Sequence, residues 1–231
     1  MNENQIIVIT GQRGCGKTTY IKESIRQHNR VLIFDLLGEF NPNAYTLDDL
    51  FSLLDKNKNA NFFTLGYFNP KNSEEDFAVV CKAVNRLHDV MFVVDELDFF
   101  CSATFCPKEF SEIIKRGRHQ SLGVIVATRR PHEVPRLVTS QVTELITFRH
   151  IEPRDLDYLK DVANVPEEAI QKLPDFHYLR WHRGEVTHGE VSKPAGNQKL
   201  TTMLKGSKTP RKDEMGLEDF FFEGIEDEPR P

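Results

Sequence analysis

The sequence predicts an α/β fold built on a mostly parallel sheet. Short apolar runs rich in Ile and Val recur along the chain, stretches of helical length separate them, and a glycine-rich turn joins the first run to the first helix. Strands that alternate with helices form βαβ units, and such sheets are covered on both faces. The first run, Gln5 to Thr10, reads as a buried strand, followed by the turn and a helix from about Lys17 to Gln27. Val31 to Phe34 reads as a second buried strand ending at Asp35. Thr46 is placed to cap a helix through LDDLFSLLD, with acids in its first turn. Asn61 to Phe68 is a strand, and Ser73 with Glu74, Glu75 and Asp76 opens a helix to about Leu87. Val90 to Val94 is a buried strand. Pro107 stands at the start of a helix ending near Gly117. Strands over Leu122 to Ala127 and Glu144 to Phe148 follow, then helices through Arg154 to Val162 and after Pro166. Phe176 to Val191 reads as a hairpin turning at Arg183 and Gly184.

Composition bounds the function. At 231 residues the chain is long enough for one generous domain, or a domain with a tail. A net charge of -5 excludes a histone-like protein that clings to nucleic acid with its whole surface, but not a local basic patch. Cys15, Cys81, Cys101 and Cys106 form no C-x-x-C pair, so structural zinc and a secreted disulfide framework are not expected. Reduced thiols in a cytosol are. The N-terminus lacks the pattern of a signal peptide, and no apolar run is long enough to span a membrane. Residues 1–192 are read as the globular domain and 193–231 as a charged, solvated tail. Lys193 to Lys212 carries six basic residues and no acid, and Asp213 to Glu228 eight acids and no base. Within the acidic block, Phe220, Phe221 and Phe222 read either as a docking peptide or as aromatics packed on their own domain.

Residues 11–18, GQRGCGKT, fit the phosphate-binding pattern G-x-x-x-x-G-K-[ST] in full, between a strand and a helix. Gly11, Gly14 and Gly16 let the backbone wrap closely around phosphate. Gly11, Gln12, Arg13, Gly14, Cys15, Gly16, Lys17, Thr18 and Thr19 form the nucleotide-binding set, with successive N–H groups making an anion nest at a helix N-terminus. Lys17 is expected to reach the β- and γ-phosphates of ATP, and the Thr18 hydroxyl to ligate Mg²⁺. Cys15 reads as a small residue tolerated in the turn rather than a thiol acidified by the helix amides. In Met91-Phe-Val-Val-Asp95-Glu96 a buried strand delivers two acids at its carboxyl end, where ligands of parallel sheets gather. Asp95 is the expected metal ligand and Glu96 the base that polarises water. Thr128, at the tip of a later strand, is the candidate sensor of the γ-phosphate. Phosphoryl transfer needs positive charge on the transferring group, and an arginine finger contributes about 10³–10⁵ in rate. Arg116 and Arg118, supplied across a subunit interface, lead as candidates, with Arg129, Arg130 and Arg149 behind them.

These residues together resemble the FtsK–HerA superfamily of P-loop DNA-pumping ATPases. Within it, the chain is most similar to the compact genome-packaging ATPases of membrane-containing and double-jelly-roll phages and viruses. The resemblance covers roughly residues 5 to 165: GQRGCGKT, FDLLGEF, FVVDE, GRHQSLGVIVATRRP and TELITFRHIEPRDLDYL. Where the family often has Thr-Gln-Arg-Pro, this chain has Thr128-Arg129-Arg130-Pro131, so the sensor is Thr128, Arg129 or both. The resemblance implies a three-layer P-loop NTPase core of RecA type, assembled as a ring, usually a hexamer, with DNA in the pore. It implies ATP hydrolysis coupled to packaging of a viral genome into a preformed capsid. The place of action would be the host cytoplasm or the virion's packaging vertex, with capsid vertex proteins as partners, engaged through the tail. DNA contact is expected from the Phe99 to Lys108 loop or the basic tail, gripping phosphates without reading sequence. Rival readings are a plasmid or conjugative DNA motor, a small-molecule kinase, and a non-hydrolysing NTP-dependent docking protein.

Overall fold

The computed structural model describes residues 5–71 and 73–193. The expectations for the tail beyond Lys193, including Phe220 to Phe222, lie outside the described residues. The chain runs β1 (Ile6–Thr10), α1 (Lys17–Ser24, continued by a 3₁₀ turn over Ile25–Gln27), β2 (Arg30–Phe34), α2 (Leu47–Lys56), β3 (Phe63–Tyr67) and α3 (Ser73–Val84). Then come β4 (Met91–Val94), α4 (Lys108–Arg116), β5 (Gly123–Thr128), α5 (Arg136–Thr139), β6 (Glu144–Thr147), α6 (Pro153–Ala163), α7 (Glu167–Gln171), β7 (His177–His182) and β8 (Glu185–Glu190). Among the described residues no helix is long and apolar enough to cross a membrane.

All eight strands join one sheet in the order β3-β2-β4-β5-β1-β6-β7-β8. The pairs among β1 to β6 are parallel, and the β7–β8 hairpin is added antiparallel at one edge. This is the three-layer, mostly parallel P-loop fold that the sequence predicts. The order matters for function, because β5 is inserted between β1, which leads into the glycine-rich loop, and β4, which ends at the acid pair. The parallel strands bring their carboxyl ends to one edge, so Gly11, Asp35, Asp95, Arg129 and Phe148 all emerge there.

Side chains alternate across the sheet with the period of two that strands impose. Ile6, Val8, Leu32, Phe34, Phe92, Val94, Val124, Val126 and Leu145 build the core beneath α2, α3, α4 and α6. Ile7, Ile9, Val31, Ile33, Val93, Ile125 and Ile146 face a smaller core completed by Ile21 of α1 with Phe40, Phe148 and Val191. Both faces are buried, which is why these strands read as continuous apolar runs rather than alternating ones. Thr46 caps α2 in a reciprocal box: Asp49 N–H donates to Thr46 Oγ1 at 3.1 Å, and Thr46 N–H to Asp49 Oδ2 at 3.1 Å. Such a cap contributes about 1 kcal/mol. α3 stops at Val84, short of the expected Leu87, and Gln120 Nε2 takes the Asn85 carbonyl at 2.7 Å. The hairpin turns at Arg183 (φ 50°) and Gly184 (φ 85°), two successive left-handed residues, the geometry that matches strand twist.

Candidate functional site

The glycine-rich loop closes on itself. Gly16 has φ 119° and precedes the first turn of α1, and a Cβ there would stand 3.1 Å from both Phe148 and Val191. Gly11 is tighter still, since a Cβ would meet Phe148 Cβ at 2.6 Å. Phe148, the residue after β6, thus sets the floor of the loop. Gln12 N–H donates to the Arg149 carbonyl at 3.1 Å, and Phe176 N–H to the Cys15 carbonyl at 2.8 Å. Lys17 is 8% exposed, and its Nζ donates to the Gly11 carbonyl at 2.8 Å and the Gln12 carbonyl at 3.2 Å. The ammonium is therefore tied across the loop, within it rather than out in solvent. Burial pushes the Cys15 thiol up from its ordinary value, against the pull of Lys17 and the backbone amides. Cys15 is a packed small residue of the turn.

Thr18 Oγ1 donates to Glu39 Oε2 at 2.8 Å. Glu39 belongs to the FDLLGEF segment after β2, and Asp35 shapes that segment. The Asp35 carboxylate accepts from Glu39 N–H at 3.0 Å and from Phe40 N–H at 2.8 Å. Sequence reasoning quoted this segment but assigned Glu39 no role. Its signal was the Asp-x-x-Gly-Glu spacing, in which Gly38 takes φ 73° to turn the glutamate back toward α1.

At the end of β4 the two acids meet different surroundings. Asp95 is 3% exposed and its Oδ2 has no hydrogen-bond partner. Burial, then the charges of Glu96, Asp35 and Glu39, push its carboxyl up to about 7, with Lys17 opposing. A buried carboxylate oxygen left unpaired, within electrostatic reach of Glu96, Asp35 and Glu39, is chemically suited to receive a hard divalent cation. Glu96, at φ 52° and ψ 60°, stands in the left-handed region that costs a non-glycine residue about 1–3 kcal/mol. Its Oε1 accepts from Arg129 Nε at 2.8 Å and pairs with Arg129 Nη2 at 2.7 Å.

The two sensor candidates at the tip of β5 make different contacts. Thr128 is fully buried; its hydroxyl donates to Asp98 Oδ1 at 2.8 Å and accepts from Arg130 N–H at 2.9 Å. Thr128 anchors the end of β5 to the loop after Glu96, while Arg129 is the residue that reaches the acid pair. Arg149 pairs with Asp175 at 2.7 Å and Arg130 with Glu133 at 3.0 Å. Arg116 and Arg118 are exposed, between the end of α4 and the start of β5. That places them at the amino edge of the sheet, opposite the chain's own phosphate loop, so the fold does not bring them to that loop. Beside the loop runs a buried polar chain that sequence reasoning did not find. Thr10 Oγ1 meets His150 Nε2 at 2.9 Å, His150 Nδ1 lies 3.5 Å from Asp155 Oδ2, and Asp155 Oδ1 meets His132 Nδ1 at 2.6 Å. Burial raises the Asp155 carboxyl, but hydrogen bonds from His150 and His132 outweigh it and hold the group below its ordinary value.

Residues 1–135 match the family model described as an AAA domain. The Methanocaldococcus jannaschii protein "Probable helicase MJECL08" is 29% identical over 106 residues, 44% of this chain. The chain spans about a fifth (20%) of that relative's length. Among solved structures, the genome packaging NTPase B204 from Sulfolobus turreted icosahedral virus 2, in complex with ATPγS, superposes with a TM-score of 0.69 at 20% identity. It covers 84% of this chain and 100% of its own. VirB4 of Thermoanaerobacter pseudethanolicus gives a TM-score of 0.60 at 10% identity, over 82% of this chain and 90% of its own. The chain shares the fold of these solved proteins.

Proposed function

The chain belongs to the AAA domain family of P-loop ATPases, and we propose that it is an ATP-driven DNA translocase that packages a viral genome into a preformed capsid. The observation that carries this reading is extent. The whole of a solved packaging NTPase lies within this compact chain, with the loop, the acid pair and β5 in one sheet. In this reading Gly11 to Thr19 hold the phosphates of ATP. Lys17 leaves its loop carbonyls for the β- and γ-phosphate oxygens as they enter the nest. Thr18 and Asp95 would hold Mg²⁺, with Glu39 as the partner Thr18 gives up. Bound there, the ion would supply positive charge that stabilises the transferring phosphoryl group. Glu96 takes the proton of the attacking water once Arg129 releases it. Arg116 or Arg118 of a neighbouring copy completes the site, so hydrolysis depends on assembly into a ring, hexameric in this reading. In this reading the chain acts in the host cytoplasm or at the virion's packaging vertex, with capsid vertex proteins as partners engaged through residues 193–231.

The test is phosphate release from ATP, with and without double- or single-stranded DNA, by the wild type and Glu96→Gln. Stimulation by DNA is expected. The glutamine variant should lose about 10²–10⁴ in rate with ATP binding retained. Hydrolysis that no DNA alters, measured on an assembled ring, counts against translocation. The likeness to VirB4 supports a second reading, a plasmid or conjugative DNA motor. A capsid gene beside the coding sequence favours packaging, and a relaxase gene favours transfer. ATP binding without turnover at high protein concentration would leave the docking-protein reading.

A further inference from the structure

The loop leading out of the acid pair carries two thiols that the nucleotide site does not use. Cys101 Sγ and Cys106 Sγ lie 3.9 Å apart. Their backbone explains the approach. Ser102 N–H donates to the Phe105 carbonyl at 2.9 Å and Phe105 N–H to the Ser102 carbonyl at 3.2 Å, so Ser102 and Phe105 form a closed hydrogen-bonded pair around a tight turn. Cys101 and Cys106 flank that pair, and the turn brings their sulfurs to 3.9 Å. A disulfide needs its sulfurs about 2.0 Å apart, so closure asks for a relative movement of about 2 Å. The loop is held at its root as well, since Cys101 N–H donates to the Leu97 carbonyl at 3.0 Å.

We propose that Cys101 and Cys106 are a modification site, a dithiol that closes to an intrachain disulfide on reaction with a low-molecular-weight disulfide such as oxidised glutathione. The two thiols differ in access. Cys106 is part-exposed, while Cys101 is 4% exposed. The hydrogen bond from Cys101, against burial, with Ser111 and the charge of Lys115 assisting, draws the Cys106 thiol below its ordinary value. Cys106 is therefore the attacking thiolate and Cys101 the resolving one. Cys106 Sγ bonds to one sulfur of the glutathione disulfide, and the other sulfur leaves as a thiolate. Cys101 then gives up its proton and bonds to Cys106 Sγ, expelling the second glutathione thiolate. Two protein thiols are oxidised and one small disulfide is reduced to two thiols. The product staples a loop that shows Phe99 and Phe105 to solvent and whose Asp98 holds Thr128.

The experiment is native incubation of the reduced full chain with oxidised glutathione, followed by thiol titration and peptide mapping. Two of the four thiols should disappear, the mapped link should join Cys101 to Cys106, and dithiothreitol should restore both. Cys101→Ser should leave Cys106 carrying one glutathionyl group, and Cys106→Ser should leave Cys101 unreacted. Retention of all four thiols in the folded wild type overturns the proposal. So does a link through Cys15 or Cys81, or a mixed disulfide on Cys106 that persists while Cys101 is present. The wild-type map decides the matter even where a serine variant fails to fold.

Discussion

The loop over residues 11–19 and the acid pair at the end of β4 face the same space with opposite internal arrangements. In the loop, the buried charge of Lys17 is matched by two carbonyls a few residues away. At Asp95, a buried oxygen has no partner, and the nearest charges are mostly of the same sign. One region is complete without a ligand. The other is complete only when positive charge arrives. The loop can hold its shape through cycles of binding and release because its backbone geometry does not depend on phosphate. The acid pair responds to occupancy; among the described residues Arg129 pairs with Glu96 and the charge of Lys17 acts on Asp95.

Four substitutions would break or sharpen this contrast. Lys17→Ala has the largest expected effect. It removes the charge that the phosphates recruit, and ATP hydrolysis should fall by about 10² to 10³ or more with weakened nucleotide binding. Steady-state kinetics and a binding titration check both. Asp95→Asn tests the other region through stability. From the ordinary Asp value near 3.8 up to about 7, the folded protein holds a proton that the unfolded chain has released. In a chelator, stability therefore falls as pH rises through that window and levels off above it. Asp95→Asn should flatten the dependence and abolish stabilisation by divalent cations, which in the wild type grows with pH over the same range. Thermal melts from pH 4 to 8 read this directly.

Arg129→Ala should act in the same window with a smaller effect. It leaves Glu96 uncompensated beside Asp95, so the metal-free stability curve should reach its plateau at higher pH than in the wild type. An unchanged curve would mean that the ion pair with Glu96 has no electrostatic hold on Asp95. Asp155→Asn lies outside both regions and should be the mildest for catalysis. It weakens the bridge between His150 and His132, and urea denaturation should show a loss of about 1–3 kcal/mol. A tenfold fall in turnover at unchanged stability would contradict that and tie the histidine chain to the reaction.

The parts of the site legible in the sequence are those whose contacts are local. Residues 11–18 take their turn geometry and the Lys17 contacts from within the loop, so composition and spacing suffice to read them, although Phe148 and Phe176 pack against it from elsewhere. The same holds for Thr46 with Asp49 and for the turn at Arg183 and Gly184. Illegible were the contacts made between elements: Glu39 on Thr18, Arg129 on Glu96, Asp98 on Thr128, and His150 on Thr10. Each joins residues far apart in the chain, and none leaves a periodic signal. Arg129 stood out as a sensor candidate from its place in Thr128-Arg129-Arg130-Pro131, but nothing in the sequence pointed to its ion pair with Glu96.

Apolar periodicity and turn chemistry by themselves determined that this chain forms alternating strands and helices, where the phosphate loop lies, and that an acid pair ends a buried strand. These follow from the backbone preferences and side-chain spacing of neighbouring residues. Only the tertiary structure decided that β5 enters between β1 and β4. That order, with its register, carries Arg129 to Glu96 and leaves Asp95 Oδ2 without a partner. Strand order is set by how both faces of the sheet are buried together, a property of the whole core that no local stretch of sequence contains.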